Sequence, residues 1–324
     1  MGVDMGASGM KVVRIRKTDA GMMLMAADVL PAFTLGSAVG GDGVQPTVPP
    51  FPKTLLTNYA AVAYSTEKSV VRVVTLPGPA DSPEDTEKSI RENLGLDSSY
   101  RVSFAPTPGK PKETKLVTVA IPETDIAALL TAFSSGPPAA YSLEISGVVS
   151  LNACLMGPAA AHPGDAICAL DCGARTTMMA IFNKGGLVLT RKLDVGGEAV
   201  LTSIQKQLGV DRAMAESILS QGAIDVSQSV RSVIEPFLRQ VTISRDYVER
   251  QENCRISTLY LSGGMSLSAS WNDEVMRATG MEARIWNPFE NVQIVQGAIP
   301  ERLQGQEPRF AAAMGAAVGA LNAT

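Results

Sequence analysis

The segment Gly2-Val3-Asp4-Met5-Gly6-Ala7-Ser8 returns 167 residues later as Ala169-Leu170-Asp171-Cys172-Gly173-Ala174-Arg175. In each copy a short apolar run ends at an aspartate, and a glycine beside a small residue then predicts a tight turn. A single sequence of this kind usually marks an ordinary hairpin turn. Two copies followed by matching strands instead indicate an internal duplication, so we expect a chain with two similar halves.

Each copy continues as a predicted three-stranded meander. The second and third strands are expected at residues 11–15 and 22–26 in the first copy, and at residues 178–182 and 187–191 in the second. Turn-forming residues separate the two strands of each pair, Thr18-Asp19-Ala20-Gly21 in one copy and Asn183-Lys184-Gly185-Gly186 in the other. The sequence therefore predicts one antiparallel meander in each half.

The turns of both copies carry residue types that suit a bound phosphate. Glycine lets the backbone approach a ligand closely, and Ser8 or Thr176 adds a hydroxyl donor to the backbone amides. Asp4 and Asp171 are suited to holding the hydration shell of a magnesium ion that bridges phosphates, and Lys11 adds a positive charge.

The composition argues against several classes of protein. With 28 Lys and Arg against 32 Asp and Glu, the net charge is −4 and no block of like charges suits nucleic acid. The apolar run at residues 310–321 is shorter than the roughly 20 residues of a membrane span, and no secretory signal opens the sequence, so we expect a cytoplasmic protein.

The 4 cysteines lack zinc-ligand spacing and are predicted to be reduced and mostly buried, and the single histidine, His162, is expected in an exposed loop.

An inserted subdomain is predicted between the first meander and residue 141. A Gly- and Pro-rich connection at residues 31–52 precedes two strands, residues 60–64 and 70–76, that we expect to pair with each other. A helix at residues 82–94, a strand at 115–121 and a helix at 123–133 follow. Residues 144–155 are predicted to form the helix that returns to the core.

The second half contains two junctions at which a strand, a glycine pair and a helix follow one another. Gly196 and Gly197 precede a helix at residues 199–208, whose bare N-terminal amides would favour an anion. Ser262-Gly263-Gly264 follows a strand at 258–261 and precedes a helix at 271–279. Asp211 is predicted to cap a helix at 212–220, and Pro236 is expected to kink or begin the next helix. The Gly- and Ala-rich residues 310–321 predict a closely packed C-terminal helix.

These motifs together resemble the actin-like ATPase superfamily and, within it, the PilM family of type IV pilus assembly proteins, which is similar to the division protein FtsA. Besides the motifs above, the likeness is carried by Val73-Val74-Thr75-Leu76-Pro77, Leu193-Asp194-Val195-Gly196-Gly197, Ala215-Glu216, Glu235-Pro236-Phe237 and Asn287-Pro288-Phe289. The resemblance covers nearly the whole chain. It implies an α/β, two-lobed actin-like ATPase (ribonuclease H-like) fold with nucleotide in the cleft between the lobes.

Four subdomains are implied by the same resemblance. The expected boundaries are 1–30 and 142–165 for subdomain 1A, 31–141 for the inserted 1C, 166–200 and 257–300 for 2A, 201–256 mainly for 2B, and 301–324 for a C-terminal helix back on 1A.

The resemblance also implies which residues bind ATP or ADP and Mg²⁺. The first phosphate loop comprises Asp4, Gly6, Ala7, Ser8, Gly9 and Lys11, and the second comprises Asp171, Gly173, Arg175, Thr176 and Thr177. Gly196 and Gly197 lie at a helix start, Glu216 lies beside the ribose or adenine, and Gly263, Gly264 and Met265 form an adenosine loop. Within this set, Asp4 and Asp171 are the residues expected to face the metal ion. Arg175 stands where a small or hydroxyl residue is commoner in the family, and it either binds phosphate or caps the empty site. Glu144 is the candidate for positioning an attacking water molecule. The alternative is that Glu144 is an acid in the first turn of a helix, where it complements the helix dipole. Because no other residue is an obvious catalytic base, the chain is expected to be at most a slow ATPase.

The function implied is a nucleotide-binding scaffold that docks the short cytoplasmic N-terminal tail of a PilN-like inner-membrane protein. Pilus motor or platform proteins and self-association are further expected interactions. Attachment to the inner membrane would come from a partner, because no basic amphipathic tail like that of FtsA follows Leu321. Two other functions stay open, a small-molecule kinase and a filament-forming actin homologue, although no compact cluster of polar residues suited to a kinase acceptor is found near the motifs.

Overall fold

The computed structural model describes residues 1–33, 48–78, 82–108, 113–134, 136–222 and 224–322. Contacts divide the chain into a first unit of Met1–Asn152, Val292–Pro300 and Ala312–Thr324 and a second unit of Ala153–Asn291 and Glu301–Ala311. The strands are β1 (Gly2–Asp4), β2 (Met10–Thr18), β3 (Gly21–Leu30), β4 (Tyr59–Tyr64), β5 (Val70–Pro77), β6 (Tyr100–Pro106), β7 (Glu113–Pro122), β8 (Ala139–Ile145), β9 (Ala166–Cys172), β10 (Thr177–Asn183), β11 (Gly186–Leu193), β12 (Ile256–Ser262), β13 (Glu282–Ile285) and β14 (Gln293–Ile294). The α-helices are α1 (Pro83–Leu94), α2 (Glu123–Ala132), α3 (Ser146–Met156), α4 (Pro158–Ala161), α5 (Gly197–Leu208), α6 (Arg212–Gln221), α7 (Ser227–Glu252), α8 (Ala269–Thr279) and α9 (Ala311–Asn322).

The sheet of the first unit has the strand order β14-β3-β2-β1-β4-β8. Strands β1, β2 and β3 form an antiparallel meander, which confirms the prediction for the first copy. Beyond β1, the strands β4 and β8 are added by parallel pairing.

The second unit repeats this arrangement. Strands β9, β10 and β11 form an antiparallel meander, and β12 and β13 are added by parallel pairing beyond β9. The order β11-β10-β9-β12-β13 therefore corresponds strand by strand to β3-β2-β1-β4-β8. The predicted duplication is confirmed at the level of sheet topology.

The remaining strands of the first unit, β5, β7 and β6, pair antiparallel with β7 in the middle. Helix α1 contacts β6 and helix α2 contacts β7. The predicted start of α1 is confirmed, because the Asp85 amide donates to Ser82 Oγ at 3.1 Å in a side-chain N-cap. Gly95 ends this helix in the left-handed conformation that glycine adopts most readily.

The C-terminal helix α9 packs within the first unit by virtue of its small residues. Ala312 and Ala316 share an apolar cluster with Ala61 and Ala63 of strand β4. A Cβ atom added to Gly2 of strand β1 would collide with the Ala313 carbonyl oxygen of this helix. The close helix packing predicted from the Gly and Ala content is therefore confirmed.

Three predictions about secondary structure need correction. Strands β4 and β5 do not pair with each other, because β4 pairs with β1 and β8 whereas β5 pairs with β7. Helix α3 begins at Ser146, and Glu144 lies instead near the end of strand β8. Pro236 was expected to kink or begin a helix, and the second alternative is wrong, because Pro236 lies inside α7 after nine residues from Ser227. Residues 34–47 of the predicted Gly- and Pro-rich connection lie outside the described residues.

A core of helices and sheet stabilises the second unit. Apolar residues of α7, including Val230, Ile234, Phe237 and Val241, are buried together with the inward residues of β9, β10 and β12. Within the described ranges, no helix is long and apolar enough to cross a membrane.

Candidate functional site

The loop between β1 and β2, residues 4–11, brings an acid and a base together in the first unit. Asp4 and Lys11 are directly opposite each other on the paired strands, and both side chains are buried. Lys11 Nζ lies 3.9 Å from Asp4 Oδ2 and donates to Ser8 Oγ at 3.3 Å. Asp4 Oδ1 accepts a hydrogen bond of 2.9 Å from Ser146 Oγ, at the start of α3. The loop thus presents an ammonium group held between a carboxylate and a hydroxyl.

Burial raises the pKa of the Asp4 carboxyl, while the charge of Lys11 and the hydrogen bond from Ser146 oppose this increase. Both carboxylate oxygens have neighbours in the first unit. Asp4 therefore suits contact with a water molecule of a hydrated metal ion better than direct coordination of the metal.

Two glycines shape the backbone of this loop. A Cβ atom at Gly6 would lie 2.5 Å from Lys11 Nζ and 3.1 Å from the Gly9 carbonyl oxygen. Gly9 has φ of +134°, where residues with a side chain are rare, and its amide donates to the Gly6 carbonyl at 3.1 Å. Ala7 and Ser8 lie at the tip of the loop and are exposed. The backbone at this tip is open to a ligand.

The loop between β9 and β10, residues 171–177, is the counterpart in the second unit. Asp171 Oδ1 accepts a hydrogen bond of 3.1 Å from Ser262 Oγ at the end of β12. The residue opposite Asp171 is Met178, so this loop has no equivalent of Lys11 on its second strand. Arg175 at the tip is exposed and is the cation that this loop contributes.

The two threonines of the second loop have different environments. Thr177 is fully buried, and its hydroxyl donates to the Val195 carbonyl at 2.9 Å. The Thr177 hydroxyl is thus engaged within the fold. Thr176 differs from Thr177 in being only half-buried. The Gly173 amide donates to the Thr176 carbonyl at 3.0 Å and closes the turn.

The start of helix α5 packs directly on the second loop. A Cβ atom at Gly196 would lie 2.6 Å from the Gly173 carbonyl oxygen and 2.7 Å from the Ala174 carbonyl oxygen. The Gly197 amide donates to the Gly173 carbonyl at 3.1 Å, and the Glu198 amide donates to the Ala174 carbonyl at 2.8 Å. The prediction of bare amides at this helix start is therefore wrong, because the loop carbonyls satisfy them.

The predicted adenosine loop reaches the same place in the second unit. Gly263 has φ of +82°, and a Cβ atom there would collide with the Cys172 carbonyl oxygen. Met265 is buried, and a Cβ atom at Gly197 would lie 2.7 Å from its Sδ. Gly264 begins a short 3₁₀ turn that precedes α8. Three segments that are far apart in sequence thus converge around residues 172–174.

Glu216 on helix α6 is engaged by an arginine that the motifs did not single out. Arg212 Nε donates to Glu216 Oε1 at 2.8 Å. Its two terminal nitrogens donate to both carboxylate oxygens of Glu198 at 2.8 and 2.9 Å. The predicted Asp211 N-cap of this helix is confirmed by a 2.8 Å hydrogen bond from the Met214 amide to Asp211 Oδ1.

Other candidates are placed as follows. Glu144 lies at the end of β8, so its interpretation as a first-turn helix acid is wrong, and its role as a water-positioning residue stays a prediction. His162 follows the end of α4 and is partly exposed, with Nδ1 lying 3.5 Å from Asp165 Oδ2. All cysteines are free and three are buried, as predicted. Across the residues that the structure describes, no group of three or more His, Cys, Asp or Glu side chains could hold a metal.

Sequence reasoning missed two residues that organise the site. Ser146 is 142 positions from Asp4, and no local pattern links the two. Arg212 precedes Glu216 by four residues on a helix, which is the spacing of a common ion pair and could have revealed this contact. Its second partner, Glu198, is brought to it by the packing of α6 beside α5.

The chain was compared with solved structures and with curated proteins. The structure of the PilM–PilN type IV pilus biogenesis complex matches with a TM-score of 0.76 at 20% identity, over 98% of this chain and 97% of that chain. Ta0583, an archaeal actin homologue, matches at 15% identity with a TM-score of 0.46, over 100% and 99% of the two chains. The activator of 2-hydroxyisocaproyl-CoA dehydratase from Clostridium difficile with bound ADPNP matches at 13% identity with a TM-score of 0.44, over 99% and 94%. A comparison with curated proteins gave no match.

The duplicated sheet and the strong structural match define the class: the chain has the actin-like ATPase fold expected from the sequence. The family model for the type IV pilus assembly protein PilM matches residues 148–320, which is more than half of the chain. The chain belongs to the PilM family.

Proposed function

We propose that this chain is a nucleotide-binding component of the type IV pilus assembly platform. In this proposal it binds Mg-ATP or Mg-ADP and docks the short cytoplasmic N-terminal tail of a PilN-like inner-membrane protein. The observation that carries the nucleotide proposal is the convergence of three glycine-containing segments in the second unit. Gly196 and Gly263 let two of these segments pack closely on the second loop, because a Cβ atom at either position would collide with its backbone atoms.

The phosphate groups would be bound by backbone amides and by cations of the loops. Lys11 is positioned in the first loop by Asp4 and Ser8, and Arg175 is exposed at the tip of the second. A magnesium ion, when bound, neutralises phosphate charge. Asp4 and Asp171, each already accepting a serine hydrogen bond, would contact its water shell. Glu216 would accept from the ribose or adenine.

Slow hydrolysis is consistent with this arrangement. Glu144 is the proposed water-positioning residue, at the end of a strand that pairs in parallel with β4. A nucleotide whose phosphates are held without rapid turnover would act as a bound switch more than as a substrate.

The nucleotide proposal is tested by calorimetric titration of the full chain with Mg-ATP and Mg-ADP, repeated with EDTA. Asp171→Asn retains an oxygen that can accept from Ser262, so this variant should fold normally and lose the magnesium-dependent part of the affinity. Asp165→Asn makes the same chemical change at a mostly exposed site in the same unit and should bind as the wild type does. A Kd of about 1 mM corresponds to a weak binding free energy of about −4 kcal/mol. If the wild-type chain does not bind nucleotide at about 1 mM, the proposal is refuted.

The partner proposal rests on family membership and on the match to a structure described as a PilM–PilN complex. Partner docking of this kind would attach the chain to the inner membrane. We expect a synthetic N-terminal tail of the PilN-like protein to bind with a Kd near 1 µM, or about −8 kcal/mol. Fluorescence anisotropy of the labelled tail, with a scrambled peptide of equal composition as the control, measures this. Equal binding of both peptides would contradict specific docking.

A further inference from the structure

Glu198 places a negative charge beside the second loop, where the proposed function requires an anion to bind. It lies in the first turn of α5, and its amide donates to the Ala174 carbonyl of the loop. After the hydrogen bond from Arg212, the charge of Arg175, next to Ala174, is a further influence that lowers the pKa of Glu198. Without a cation paired to it, the Glu198 carboxylate would repel a phosphate group. It would also attract Arg175 and so draw this side chain away from the phosphate.

Arg212 neutralises this carboxylate. Its guanidinium donates from Nη1 to Glu198 Oε2 at 2.8 Å and from Nη2 to Glu198 Oε1 at 2.9 Å, which is the bidentate geometry that arginine forms with carboxylates. The Arg212 hydrogen bond is the largest influence that lowers the pKa of Glu198, so Glu198 is ionised and paired at neutral pH.

Glu216 fixes the orientation of Arg212. The third nitrogen, Nε, donates to Glu216 Oε1 at 2.8 Å, one helical turn further along α6. With Nε held by its own helix, both terminal nitrogens face Glu198. Glu216 Oε2 has no hydrogen-bond partner among the residues described, so an acceptor remains for a ligand hydroxyl.

We propose that Arg212 is a positioning residue that neutralises Glu198 and thereby allows the second loop to bind a polyphosphate. The inference rests on the proposed nucleotide function and refines it. Arg212 acts through Glu198, and its effect on affinity grows with the negative charge of the ligand. With the Glu198 carboxylate paired to Arg212, its charge competes less with a phosphate for Arg175.

The test compares three ligands whose negative charge decreases in the order Mg-ATP, Mg-ADP and adenosine. The Arg212→Met variant leaves the Glu198 carboxylate without its paired cation. We therefore expect the Kd to rise about fivefold for Mg-ATP and about twofold for Mg-ADP, relative to any change for adenosine. Adding Glu198→Gln to Arg212→Met removes the uncovered charge and should restore the wild-type ratio of Kd values. The difference between ligands should also shrink at about 0.5 M salt, because the charges are exposed to solvent.

Arg284→Met provides the matched control, since Arg284 forms an exposed pair with Glu282 on β13 and should leave all three affinities unchanged. Equal weakening of all three ligands by Arg212→Met, or failure of Glu198→Gln to restore the ratio, would show a purely structural role and overturn the inference. Unchanged affinities in Arg212→Met would overturn it as well. If the wild-type chain binds none of the three ligands, the proposed function fails together with this inference; if it binds them, the variants decide the inference alone.

Discussion

Replacing Gly196 by alanine should selectively destabilise the second unit, whereas the same change at the adjacent Gly197 should not. At Gly196 the new Cβ atom would lie 2.6 Å from the Gly173 carbonyl oxygen and 2.7 Å from two Ala174 backbone atoms. Backbone atoms in a packed loop cannot rotate away. At Gly197 the nearest atom is Met265 Sδ, at 2.7 Å, and a methionine side chain adapts readily.

The expected magnitudes follow from these contacts. Forcing the loop away from Gly196 costs about 1–3 kcal/mol for overpacking. It also disrupts the hydrogen bonds from Gly197 and Glu198 to the loop, at 3.1 and 2.8 Å, each of which contributes about 1 kcal/mol. We therefore expect Gly196→Ala to lower the free energy of unfolding by about 3–5 kcal/mol. For Gly197→Ala, movement of Met265 is offset by the higher helix propensity of alanine, about 1 kcal/mol, and the net change should stay within about 1 kcal/mol.

Urea unfolding followed by tryptophan emission is the appropriate assay. Both tryptophans of the chain, Trp271 and Trp286, are buried in the second unit, so the signal reports that unit alone. A loss of 3–5 kcal/mol should lower the midpoint by more than about 1 M urea. Gly264→Ala, whose Cβ would have no atom within 4 Å, is a neutral control. Equal midpoints for the Gly196 and Gly197 variants would refute the reasoning.

Three further predictions concern other parts of the chain. Gly2→Ala should expose the amides of β1 to hydrogen exchange, because its Cβ would collide with a backbone carbonyl of α9; unchanged protection would contradict this close packing. Lys11→Met should destabilise the first unit by about 3 kcal/mol by leaving the buried Asp4 charge without its cation, and adding Asp4→Asn should recover most of the loss in the same exchange experiment. The hydrogen bond from Arg231 lowers the pKa of Glu274, so the unfolded state binds this proton more readily. The stability contributed is present above about pH 4.5 and is lost as the pH falls through the folded-state pKa, and Glu274→Gln should flatten the acid limb of tryptophan-detected unfolding.

The sequence by itself determined the duplication and most of the local structure. Short apolar strands joined by glycine-containing turns specified both meanders, and side-chain caps at Ser82 and Asp211 specified two helix starts. These signals are local, since each depends on residues within a few positions of one another. The glycine pairs also identified the segments that converge in the second unit.

Tertiary structure alone decided how those segments meet. Strand β4 pairs with β1 and β8 because parallel pairing joins strands that are distant in sequence, and no turn signal records such a partner. Glu144 joins the edge of that sheet for the same reason. The amides at the start of α5 are satisfied by carbonyls of a loop more than twenty residues away, and Arg212 reaches Glu198 across two packed helices. Local propensity fixes the backbone of each element, but packing of the whole unit decides which donors, acceptors and charges remain for a ligand.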